Sequence, residues 1–191
     1  MLLLVPKRLR RCDSATEQYM SKVLVTLDMD ELAFCAYTGV ERRMSALALN
    51  AKSPQTKRHY SEQNYWQSDI IGLIGEYAVA KAFGEHFVER PYDKNNFDVL
   101  AYQVRATEQK EPKLRVRAHD NPNHMFILAQ VKNHRVLIHG WSNGHDTKQY
   151  GILEYENCWS LPADNLNDMN ALIAPIIYTD QVRVWKAPET Q

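Results

Sequence analysis

Cysteine is scarce in this chain, with three in 191 residues. Cys12, Cys35 and Cys158 lie far apart and no Cys-x-x-Cys pair occurs, which argues against a structural zinc site. An odd, sparse set suits a reducing cytosol better than a disulfide-stapled secreted fold, so a cytoplasmic location is expected. An excess of one charge is missing too. The 23 Lys and Arg residues are matched by 23 Asp and Glu, so any attraction to nucleic acid must come from a local patch. No apolar run approaches the length of a membrane span, and a membrane partner is not expected. There is no internal repeat, low-complexity tract or interdomain linker. No nucleotide-binding loop or nucleophile motif supports a small-molecule enzyme.

What is present suits one domain with a proper core: 45% hydrophobic and 24% charged residues are ordinary for a globular protein. The start is unusual. Met1-Leu-Leu-Leu-Val5 precedes Pro6 and the basic residues Lys7, Arg8, Arg10 and Arg11, the reverse order of a signal peptide. Residues 1–19 are expected to form a disordered leader, with translation starting at Met20 and residues 20–191 forming the domain.

Lys22–Leu27 alternates as a strand does. Asp28-Met29-Asp30-Glu31 then fits a capping box, opening a helix to about Asn50. Leu32, Cys35, Ala36, Met44 and Leu47 are expected on its inner face, Gly39 as an interruption, and Arg42 and Arg43 on the exposed or cleft side. Ala51–Gln67 is polar and reads as a loop, from which Tyr60, Tyr65 and Trp66 could reach the core or a cleft. Ser68–Phe83 reads as a second helix stopped by Gly84. Strands follow. Phe97–Leu100 and Gln103–Ala106 can form a hairpin tipped at Leu100-Ala101, and Lys113–Arg117, Met125–Val131 and Val136–Trp141 continue the pattern. Asn143–Lys148 reads as a polar loop, Asp164–Ile173 as a short helix, and Ile176–Tyr178 with Val182–Trp185 as a closing hairpin. Two helices, a run of strands and a short helix give the fold class α/β (α+β) with a mixed sheet.

The residue that stands out is Glu76, alone among apolar neighbours in Ile70–Ala80. A carboxylate there must be hydrogen-bonded, paired, protonated or bound to a metal. The plain alternatives are that it snorkels to solvent or accepts a hydrogen bond from a core group. Asp98 and Gln103-Val104-Arg105 follow it. If Leu100-Ala101 is the tip, Asp98 and Gln103 are opposite one another, with Cβ atoms roughly 5 Å apart. Glu76 and Asp98 can offer carboxylate oxygens to a hard cation, with the Gln103 side chain and the Val104 carbonyl as further oxygen donors. Mg2+ or Mn2+ suits such a set, and Arg105 can steady a phosphate beside it. Lys113, Arg115 and Arg117 share one strand face and could track a nucleic-acid backbone. Seven histidines are scattered without zinc or His-nuclease spacing, and His119, His139 and His145 are read as ordinary polar residues.

Together, Gly75-Glu76-Tyr77-Ala78 on the first core helix, Asp98, Gln103-Val104-Arg105, the strand Met125–Val131 and the strand ending Gly140-Trp141 resemble the PD-(D/E)XK nuclease superfamily, and within it a phage-type branch. The resemblance spans about residues 22–185 through short, degenerate motifs. It implies a restriction-endonuclease-like core, a mixed sheet with helices on both sides, and a metal-dependent phosphodiesterase, with DNA as the partner and the host cytoplasm as the setting if phage-encoded. A homodimer is compatible with it. Carried over, Asp98 is the central metal ligand, Glu76 the helix acid, Gln103 the second acidic ligand position and Arg105 the lysine position. Two departures stand out. Gln103 removes a negative charge, and Arg105 hardly loses a proton, so it cannot be a general base. A catalytically weak or inactive nuclease-fold module, binding nucleic acid or acting as a phage–host inhibitor, is the second expectation. A competing placement uses Gln130-Val131-Lys132 with Asp120.

Overall fold

The computed structural model describes residues 22–48, 62–89, 97–155 and 157–173. The expected leader and the closing hairpin lie outside the described residues.

The chain opens with strand β1 (Val23–Thr26) and helix α1 (Met29–Ala48). The capping box forms as the sequence implies. The Glu31 N–H donates to Asp28 Oδ1 at 2.9 Å, and the Asp28 N–H donates to Glu31 Oε2 at 2.8 Å. Two of the orphan amides at the helix start are thereby satisfied. Gly39 does not interrupt α1. A Cβ there would come within 2.9 Å of Ile70, so the glycine lets the next helix approach closely. The inner face also differs from expectation at its far end. Cys35, Thr38 and Gly39 are buried, whereas Met44 and Leu47 are exposed, because the buried stripe runs on through the half-buried Arg42.

Helix α2 (Glu62–Ala82) begins earlier than expected. Tyr65 and Trp66 therefore belong to its first turns rather than to a loop. Gly84 ends it in the left-handed region, φ 69°. The Glu85 N–H reaches the Ala80 carbonyl and the Gly84 N–H reaches the Lys81 carbonyl, the paired bonds by which a helix C-terminus is closed.

The strands are β2 (Tyr102–Thr107), β3 (Lys113–Arg117), β4 (Met125–Lys132) and β5 (Arg135–Asn143). Helix α3 (Gly144–Tyr150) comes next, then β6 (Ile152–Tyr155), β7 (Cys158–Pro162) and a short helix α4 (Asn170–Ile173). Where a polar loop was expected, α3 forms because Asn143 caps it, accepting from the Asp146 N–H at 2.7 Å and donating to the Asp146 carboxylate at 2.8 Å. The helix expected over Asp164–Ile173 is reduced to a 3-10 turn at Ala163–Asn165 and to α4. Asn167 is drawn into two backbone bonds with Trp141 and cannot be helical.

Four strands form a mixed sheet in the order β1-β5-β4-β2, with β2 and β4 parallel and the other pairs antiparallel. A second, antiparallel sheet has the order β3-β7-β6. Helix α2 lies on one face of the first sheet, α1 packs on α2, and Leu73, Val79, Val104, Ile127 and Ala129 belong to the core between. Helices were expected on both faces. The other face is instead covered by the second sheet, whose Leu114, Val116 and Leu161 pack on Phe126 and Leu128, with α3 alongside β3 and β7. Strand β4 is thus buried on both faces, which is why its sequence is almost continuously apolar. None of the helices among the described residues is long and apolar enough to cross a membrane.

Candidate functional site at the edge of strand β2

Glu76 sits midway along α2 and is 7% exposed. Gly75, one residue before it, brings α2 against β2 and β4. A Cβ at Gly75 would fall 2.7 Å from that of Ala106 and 3.4 Å from that of Ala129. The close approach sets Glu76 near the edge of the sheet. Its neutralising partner comes from the other helix. Arg42 of α1 donates from Nη1 to Glu76 Oε1 and from Nη2 to Oε2, both at 2.9 Å. A fork-to-fork pair of this kind is the strongest arrangement a guanidinium and a carboxylate can make. Arg42 Nε also lies 3.8 Å from Glu89. Glu76 therefore does not snorkel to solvent, and its two oxygens are held by a charged partner.

A second ion pair lies two turns back on the same face of α2, between Asp69 and Arg43 at 2.6 Å. Arg43 also stacks over the Tyr65 ring, 4.9 Å from its centroid. Burial raises the Asp69 proton affinity, and the Arg43 charge works against that shift.

Asp98 reaches the site from the expected hairpin. Val99 and Tyr102 bridge across a two-residue tip, with Leu100 at φ 51° absorbing the turn. Asp98 is the residue before this bridge and Gln103 the residue after it. The Val104 N–H donates to Asp98 Oδ2 at 2.8 Å. A residue in a strand directs its N–H and its carbonyl to the same side, so the Val104 carbonyl leaves β2 on the Asp98 edge. Burial and then the Glu76 charge push the Asp98 carboxyl up to about 6, against the Val104 N–H, Arg105 and Arg42. Two carboxylates thus share the edge of β2, and Asp98 remains the less neutralised of them.

Gln103 and Arg105 alternate with Val104 and so project from the opposite face of β2, beside Phe126 and Leu128 in register. The Arg105 guanidinium lies 4.9 Å from the centre of the Phe126 ring and donates to Asp120 Oδ2 at 3.1 Å. Glu76 meets the Asp98 hairpin around the strand edge, not across a common face. Among the described residues no group of three or more Asp, Glu, His or Cys side chains is gathered as around a metal. A divalent cation here would rest on two carboxylates, with neutral oxygens and water completing the shell. That donor set fits Mg2+, which keeps several waters and takes few protein ligands.

The competing placement does not assemble. The Asp120 carboxylate is held by Arg105 and by the Arg117 N–H at 2.8 Å. Gln130 is buried, bonded to the Gln109 carbonyl at 2.6 Å and to His139 at 3.1 Å, and Lys132 is exposed beside the turn to β5. His119 and His145 are exposed, and His139 is buried, with burial pushing its imidazolium form down to about 4. Lys113, Arg115 and Arg117 do share one face of β3, between the buried Leu114 and Val116. Lys113 and Arg115 are nevertheless claimed by one carboxylate, Glu154 of β6, at 3.1 and 2.8 Å.

Arg42 is the site residue that the chain pattern alone did not single out. The signal was available: Cys35, Thr38, Gly39 and Arg42 follow the i, i+3, i+4, i+7 spacing of a buried helix stripe. None of the protein families, curated proteins or solved structures compared with the chain matches it.

Proposed function

We propose that the protein is a metal-dependent nuclease that hydrolyses phosphodiester bonds, with DNA as substrate and with Glu76, Asp98, Gln103 and Arg105 as its working residues. One observation carries the reading. Glu76 on α2 and Asp98 in the hairpin, distant in sequence, reach the same edge of β2 closely enough for the charge of one to raise the proton affinity of the other. Burial is the larger cause of that rise, and two poorly solvated carboxylates near one another favour a cation between them.

Glu76 and Asp98 would hold the cation, with the Val104 carbonyl and water as neutral donors. When bound, Mg2+ or Mn2+ supplies a nucleophilic water at neutral pH and offsets charge on the phosphate. The chain's own groups do the rest. The Val104 N–H fixes the orientation of the Asp98 carboxylate. Arg105, braced by Asp120 and the Phe126 ring, presents a permanent positive charge to a phosphate oxygen. It takes no proton, so it positions and stabilises only.

The test is plasmid cleavage with Mg2+ or Mn2+, comparing the parent with Asp98→Ala. Cleavage that needs the metal and is lost in Asp98→Ala is the expected result. Equal cleavage by both proteins removes Asp98 from the reaction and overturns this reading.

A second reading is favoured by a different observation: Arg42 already neutralises Glu76 through two hydrogen bonds. On this view the chain keeps a nuclease-like site without its chemistry and acts by binding nucleic acid or a host protein in phage–host conflict. Restoring the acid and the lysine with Gln103→Glu and Arg105→Lys separates the two readings. Cleavage that appears only in the restored protein marks a decayed site. No cation binding by calorimetry, in parent or restored form, favours a pure binding role.

A further inference from the structure

Six charged groups lie around strand β2, each from a different element. Glu76 comes from α2, Asp98 from the hairpin, Glu89 from the segment after α2, and Asp120 from the turn after β3. Arg42 and Arg105 oppose them from α1 and β2. The positive charge is unevenly shared. Arg42 spends both ends of its fork on Glu76, while Asp98 has one backbone N–H. A cation held by Glu76 and Asp98 needs at least one Glu76 oxygen, and both of those oxygens face Arg42.

We propose that Arg42 is the resident counter-ion of Glu76, and that it competes with the divalent cation for that carboxylate and yields it on binding. The inference rests on the metal-dependent reading above. A second acid is already within reach of the released side chain, because Glu89 stands 3.8 Å from Arg42 Nε. The fork can therefore leave Glu76 by turning about its own stem, without stranding its charge. Arg42 is in this sense a positioning residue. It holds the Glu76 carboxylate in place and neutral while no cation is there. Because it does so through the two oxygens the cation needs, it also weakens cation binding.

Isothermal calorimetry with Mn2+ on the full chain tests this, using the parent, Arg42→Gln and Arg42→Lys, each checked for folding by circular dichroism. Removing the competitor should tighten Mn2+ binding at least tenfold in Arg42→Gln. Arg42→Lys, with a point charge in place of a fork, should fall between. Saturating Mn2+ should also raise the melting temperature of Arg42→Gln more than that of the parent, since the cation then replaces the missing counter-ion. Unchanged or weaker Mn2+ affinity in a folded Arg42→Gln overturns the competition and leaves the metal site standing. If Arg42→Gln does not fold, Arg42→Lys decides: tighter binding than the parent supports the proposal, and equal or weaker binding overturns it. Absence of Mn2+ binding in all three proteins removes the metal reading and this inference with it.

Discussion

Arg42 and Glu76 meet across the interface of the two long helices through two hydrogen bonds of 2.9 Å each. Glu76 is almost wholly buried and the Arg42 side chain is 22% exposed. Removing one member of such a pair leaves the other charge in a poorly solvated place, which costs about 3 kcal/mol or more. Arg42→Ala should therefore lower the unfolding free energy by that much in metal-free buffer. Replacing both members with apolar residues, Arg42→Met with Glu76→Leu, should recover most of the loss, because the stranded charge is gone. Urea titrations of the single and double variants measure this. A double variant no more stable than the worse single one would mean that packing, not charge, holds the interface.

The Asp98 carboxyl gives a pH prediction with a definite sign. Its folded-state value is raised from the ordinary 3.8 to about 6, first by burial and then by Glu76. Between those values the folded protein keeps a proton that the unfolded chain has released. Stability should fall as pH rises from about 4 to 6 and level off above. The change due to Asp98 should be about 2 kcal/mol, after allowance for its partial exposure. Asp98→Asn keeps an oxygen to accept the Val104 N–H but carries no charge. It should be more stable than the parent at pH 7, with little difference near pH 4. Denaturation at the two pH values decides, and an Asn variant less stable than the parent at pH 7 would contradict the assigned environment.

Much of this arrangement was legible in the chain, for identifiable reasons. The capping box at Asp28 and Glu31, the stop at Gly84 and the strands around Val104, Ile127 and Ile138 are local signals, and each formed where it was read. The hairpin tip at Leu100-Ala101 could be read only conditionally, because Leu-Ala is unfavourable turn chemistry and leaves the register open; the Val99–Tyr102 bridge fixes it. Other features depend on partners distant in sequence. Strand β7 finds its place beside β3, and β6 beside β7. The Arg42–Glu76 pair joins residues on two helices, and nothing local to Ile70–Ala80 names its partner. For the same reason Glu154 was not seen as the acid that occupies Lys113 and Arg115.

That last contact bears on nucleic-acid binding. Burial alone would raise the proton affinity of Glu154, but hydrogen bonds from Arg115 and Lys113 outweigh it and hold the carboxyl down to about 2. At neutral pH one acid therefore neutralises part of the basic face of β3. Glu154→Gln should release that charge. Affinity for a short DNA duplex at low salt should rise several-fold, and the dependence of log K on log salt should steepen by about one phosphate contact. Fluorescence anisotropy over a salt series reads both. An unchanged slope would show that this face does not meet the nucleic acid, and the edge of β2 would have to hold it unaided.

The neighbouring glycines of α2 make opposite predictions for one substitution. A Cβ at Gly72 would have its nearest neighbour at 3.8 Å, Glu76 Oε1, which is ordinary contact. Gly72→Ala should gain close to the full helix-propensity difference, about 1 kcal/mol. The same atom at Gly75 would fall 2.7 Å from the Ala106 Cβ of β2, closer than two carbons can stand. Gly75→Ala gains the same propensity but must push α2 off the sheet, which costs about 1–3 kcal/mol in a packed core and should leave it no more stable than the parent. The consequence reaches the site as well. Glu76 is the next residue, so the outward shift should separate it from Asp98, and the raised Asp98 proton affinity should fall back toward 3.8. Thermal melts of the two variants, with a carboxyl NMR titration of Asp98 in each, separate the effects. Gly72→Ala should leave the titration unchanged, and an unchanged titration in Gly75→Ala as well would show that the close approach of α2 to β2 is not what brings the two carboxylates together.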